Sequence, residues 1–94
     1  MTNYVVTYVL SQAAENYVGL FESLAGFESH SRIMPQTWIV RDGRSAAEIR
    51  ARLSTHLKPN DLLFVGEIGA NCAWHGVSGE ESQWIGNLVS PPAS

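Results

Sequence analysis

Cys72 and His75 stand three positions apart, a nucleophile and a potential base close together in the chain. A working pair needs the imidazole aligned on the thiol and oriented by a third group, and proximity along the sequence supplies neither. As a zinc site the pair is two ligands short. The spacing reads as a structural cysteine beside an ordinary histidine. Asp42 and Asp61 offer the hard carboxylate oxygens that a divalent cation prefers. Both also fall where turn chemistry places aspartate, Asp42 before Gly43 and Asp61 at the close of a helix-to-strand loop. Gly66-x-x-Gly69 has part of the spacing of a phosphate loop but lacks the Lys-Ser/Thr and the helix start behind it, so a strand bend or bulge is the simpler reading.

Arg41, Arg44, Arg50 and Arg52 hold four of the six basic residues, with Asp42 and Glu48 among them. Arginine forks grip phosphates well. Arg50 and Arg52, however, diverge by about 200° around a helix and cannot share one ligand. Trp38 falls in mid-strand and reads as core or dimer contact, whereas Trp74 lies in a loop-like segment beside His75. An indole so placed can stack on a base, worth about 1–3 kcal/mol, or pack the C-terminal segment onto the sheet. His30 and His56 stand alone and read as surface or hairpin residues.

These side chains must be positioned by a short series of elements. Residues 4–10, YVVTYVL, are rich in β-branched and aromatic side chains and predict a strand. Tyr17, Leu20, Phe21 and Leu24 then recur at helical spacing, with Ser11 as a cap and Gly26 as the stop. Residues 28–34 and 36–41 are strand candidates joined at Pro35 into a hairpin. Ser45-Ala46-Ala47-Glu48 has the form of a capping box and opens a helix with the apolar stripe Ala46, Ile49, Leu53 and Leu57. Residues 58–61 end it before the LLFVGEI strand. A second such box, Ser78-Gly79-Glu80-Glu81, precedes Trp84, Ile85 and Leu88 and predicts a short third helix.

The resulting β-α-β-β-α-β order predicts an α+β, ferredoxin-like fold: an antiparallel sheet with two helices on one face and a C-terminal extension. Residues 1–89 form the expected single domain and residues 90–94 a flexible tail. Strands one and three are expected to run parallel at the sheet centre. That would bring Ser11 and Gln12, Arg41 and Asp42, and Asn60 and Asp61 to one edge.

The chain has 94 residues, 45% of them hydrophobic and 16% charged, within the size of one domain of up to roughly 100–200 residues. Six Lys and Arg against nine Asp and Glu give a net charge of −3, the wrong sign for nonspecific nucleic-acid binding. A lone cysteine cannot close an internal disulfide, and no run of about 18 apolar residues could span a bilayer. With no signal peptide visible, a soluble cytoplasmic location is expected. The strands are apolar on both parities, whereas a half-solvated sheet should alternate. Either a second copy or the chain's own C-terminal segment must cover the second face, and a two-fold homodimer is the more economical solution. Tyr8, Trp38 and Phe64 are the expected dimer contacts.

The YVVTYVL strand, Gln36-Thr37-Trp38-Ile39-Val40, Ala47-x-Ile49-Arg50-x-x-Leu53, Asn60-Asp61-x-Leu63 and Ala73-Trp74-x-Gly76 with Trp84 together resemble the small SinR-family proteins. These in turn are distantly similar to the small nuclease-like subunit of the CRISPR spacer-integration complex. The resemblance implies a ferredoxin-like homodimer. In active members of the nuclease branch, an aspartate at the end of strand one binds a divalent metal in the dimer cleft. Here the matching Tyr8 is followed by Val9, which can neither ligate a hard cation nor carry charge.

The expectation is therefore a non-catalytic homodimeric binding module, without a cofactor or metal, for a partner protein or a small anionic ligand such as a nucleotide. Ser11, Arg41, Arg44, Trp74 and His75 are its candidate ligand residues. A phage or mobile-element protein that sequesters a nucleotide signal suits that description. The alternatives are a metal-dependent endoribonuclease using Asp42 or Asp61 with a divalent ion, and a toxin–antitoxin component.

Overall fold

The computed structural model describes residues 1–77 and 79–89. The expected tail, residues 90–94, and Ser78 of the second capping box lie outside them. The chain is an α+β domain with a four-stranded antiparallel sheet and, among the described residues, three α-helices. Its elements are β1 (Thr2–Val9), a 3-10 turn (Ala14–Tyr17), α1 (Val18–Ala25), β2 (Ser29–Met34), β3 (Thr37–Asp42), α2 (Ala46–Ser54), β4 (Leu62–Ile68) and α3 (Gly79–Val89).

The sheet order is β2-β3-β1-β4, and every neighbouring pair is antiparallel. This corrects the expected parallel pairing of β1 with β3: Thr2 lies opposite Asp42, and Thr7 opposite Thr37. The reason is directional. The β2–β3 hairpin reverses the chain, so a strand entering beside β1 after one crossover and one hairpin must run against it.

Alternation along the strands divides the core in two. On the first face, Tyr4, Val6, Tyr8, Trp38 and Val40 pack against Tyr17, Leu20, Leu24, Ile49 and Leu53, which belong to the 3-10 turn, α1 and α2. The capping box that opens α2 is formed: Ser45 Oγ accepts from the Glu48 N–H, and the Glu48 carboxylate accepts from the Ser45 N–H. On the second face, Ile39 is buried against Ile85 of α3, with Ile33, Ile68, Trp74 and Trp84 around them. The described part of the C-terminal segment thus folds back over the half of the second face where β3 ends and β4 ends.

Tyr8 and Trp38 belong to the first core, at 2% and 7% exposure, and the Trp38 indole N–H donates to the Tyr8 hydroxyl at 3.0 Å. The two expected dimer contacts thus lie in the core of the single chain. Both side chains pack in the first cluster, where Tyr8 meets Phe21 of α1 edge-on.

Candidate functional site

Asp61 sits where β1 ends and β4 begins, and its carboxylate is fully engaged. Ser11 donates its N–H and its hydroxyl to Oδ1, each at 2.7 Å, and the Tyr17 hydroxyl donates to the same oxygen at 2.9 Å. The Lys58 N–H donates to Oδ2 at 2.8 Å. Partial desolvation raises the proton affinity of this carboxyl, but the donors from Lys58, Ser11 and Tyr17 outweigh it and hold Asp61 well below the usual carboxylate range. Ser11 consequently does not cap a helix. It ties the end of β1 to the α2–β4 loop.

Asp42 lies at the opposite end of the sheet. The Arg44 side chain donates to it through Nε at 2.6 Å, and this hydrogen bond is the main cause of its lowered proton affinity. Because Asp42 faces Thr2 while Leu62 faces Val9, the two aspartates are separated by seven positions along β1. That amounts to roughly 24 Å at about 3.4 Å per residue. The expected convergence of Ser11, Arg41, Asp42 and Asp61 is corrected accordingly: Ser11 and Asp61 share one end, Arg41, Asp42 and Arg44 the other. Among the described residues no group of three or more His, Cys, Asp or Glu side chains is placed to hold a metal ion.

The other candidate ligand residues are likewise dispersed. Arg44 is committed to Asp42 and lies 5.7 Å from the Phe27 ring centre. Arg41 borders a shallow polar depression with Met1, Glu28 and Ser29. Trp74 is half-buried on the second face, where its indole N–H donates to Ser82 Oγ, and His75 beside it is exposed. Cys72 joins the second apolar cluster, at the wall of a cleft of about 190 Å³ between sheet and C-terminal segment.

The most distinctive surface is the half of the second face that the described residues leave bare. Met34, Val9, Leu62 and Phe64 are exposed there by 47, 52, 63 and 61%. They share the face because Met34 pairs with Thr37, Thr37 with Thr7, Thr7 with Phe64, and Val9 with Leu62. At its centre the Thr7 and Thr37 hydroxyls bond each other at 3.1 Å, which satisfies the polar groups the patch contains. None of these six residues is charged.

Gly66 serves this patch rather than a phosphate. A Cβ at Gly66 would stand 2.7 Å from Cε1 of Phe64, so the glycine lets the ring lie along its own strand. The β1–β4 register is unbroken there, so the glycine marks no bulge. Of the patch, sequence reasoning named Phe64 alone as a dimer contact. Val9 and Leu62 carried the same signal, since they occupy the same parity, but recognising it required the β1–β4 register.

Compared with family models, curated proteins and solved structures, the chain gives no match.

Proposed function

We propose that this protein is a non-catalytic homodimeric association module built on a ferredoxin-like plan, in which a second copy covers the bare half of the sheet. The carrying observation is the uncharged patch of Met34, Val9, Leu62 and Phe64, four large apolar side chains each about half or more in solvent. Contiguous apolar surface of this kind is characteristic of interaction sites. The sheet order read as β4-β1-β3-β2, with each helical crossover skipping one strand, supports the ferredoxin-like reading. The proposed likeness to SinR-family proteins and to a degenerate nuclease-like subunit fits Val9: where that branch needs a metal carboxylate, this chain carries an apolar contact.

A second copy is the occupant we propose. Two molecules of net charge −3 repel, and an uncharged face is where they approach at least electrostatic cost. The dispersed arginines do not favour a shared anionic ligand. Sedimentation equilibrium across a concentration series tests the proposal: the protein should show a reversible monomer–dimer equilibrium that Leu62→Asp displaces toward monomer. A monomer at every concentration refutes it.

A further inference from the structure

We infer that the cleft between the sheet and the C-terminal segment binds an uncharged aromatic small molecule of one or two rings. Its floor is the second face of the sheet, where Val5 of β1 lies opposite Ile39 of β3, and its walls include Cys72, Trp74 and Ile85. Met34 also lines it and is 47% exposed, so the cleft is open to solvent on that side. Of the bare-patch residues Met34 alone lines the cleft, so a ligand there leaves Val9, Leu62 and Phe64 free for a second copy.

Size and polarity set the class of ligand. The cleft measures about 190 Å³. An apolar cavity of about 150 Å³ takes up benzene, so this one holds a ring of that size or a somewhat larger one. The described residues that line it carry no charge, and the polar groups of its wall are already paired. The Trp74 indole N–H donates to Ser82 Oγ, and the Cys72 N–H donates to the Ala70 carbonyl at 3.0 Å. Water needs about two to four hydrogen-bond partners to stay in such a space. An apolar ligand needs none and gains by leaving water, whereas a charged one would be left unpaired.

The walls favour a ring over an aliphatic chain, because sulfur at a ring edge and one ring beside another are both attractive contacts. Trp74 is held ready for that role. Besides its bond to Ser82, its Cζ2 edge lies 4.0 Å from the position a Cβ would take on Gly86 of α3. Anchored to α3 at two points, the indole has little freedom to collapse into the cleft.

Cys72, the chain's only cysteine, reports occupancy from within the wall. The experiment follows its alkylation by iodoacetamide, read by mass spectrometry, in the presence of indole, benzoate or benzylammonium. Indole should slow the reaction severalfold and saturably. Benzoate and benzylammonium, single rings carrying either sign of charge, should leave the rate unchanged. Val5→Phe, which puts a ring into the floor, should abolish the dependence on indole. Should that variant not fold, the comparison of indole with the two charged rings in the unsubstituted protein still decides. A rate that indole does not change overturns the site, and so does equal slowing by all three rings or a dependence on indole that survives in folded Val5→Phe.

Discussion

At the scale of single residues, the polar side chains that looked most chemical are the ones most occupied with holding the fold. Asp61 has four hydrogen-bond donors on it from three parts of the chain. Its proton affinity is lowered in the folded state, so its stabilisation is fully present above the unfolded carboxylate pKa, about 3.9, and is lost as pH falls below that. Chemical denaturation between pH 7 and pH 2 should show stability falling on the acid side. Asp61→Asn should begin lower at pH 7 and show a flatter acid limb; an unchanged limb would contradict the assignment. Tyr8→Phe leaves the buried Trp38 indole N–H without its acceptor, at a cost of about 1–3 kcal/mol, measurable by urea unfolding. Gly66→Ala tests the opposite kind of residue. Its Cβ must push aside only the exposed Phe64 ring, so monomer stability should stay within about 1 kcal/mol. Self-association should nonetheless weaken severalfold, because the patch changes shape.

At the scale of elements, local signals were the readable ones. The Ser45–Glu48 capping box appears in the structure as it does in the sequence, because both partners lie within one turn. Ser45→Ala should cost about 0.5–2 kcal/mol in thermal or urea unfolding. Ser11 was misread because its partner, Asp61, is fifty positions away, and nothing near Ser11 announces it. The strand sites were legible from β-branched and aromatic runs, whereas the direction of β3 against β1 depends on the path of the whole chain. That single difference moved Arg41 and Asp42 to the far end of the sheet and dissolved the expected ligand cluster. The two-sided apolar strands were a sound signal with two answers. Ile39 and Ile68 are covered by the C-terminal segment, while Val9, Leu62 and Phe64 are left for another surface. Choosing between those answers residue by residue needs the register, which alternation alone does not contain.

At the scale of the whole molecule, first-face packing builds the domain, and the described residues cover half of the second face. No helix among the described residues is long and apolar enough to cross a membrane, so the bare patch is not part of a spanning helix. An uncharged contact between two copies of net charge −3 also has a salt signature. Screening weakens the repulsion between the copies without weakening the contact, so association should tighten as salt rises from low to physiological strength. An interface held by ion pairs would show the reverse. The most direct measurement is sedimentation equilibrium of the unsubstituted protein beside Phe64→Asp, with circular dichroism and thermal unfolding of both. The account predicts a reversible dimer for the first, and for the second a folded monomer with nearly unchanged monomer stability, since Phe64 lies outside both buried clusters. A protein that stays a single copy at the highest concentration, or a Phe64→Asp variant that dimerises as before, would contradict it.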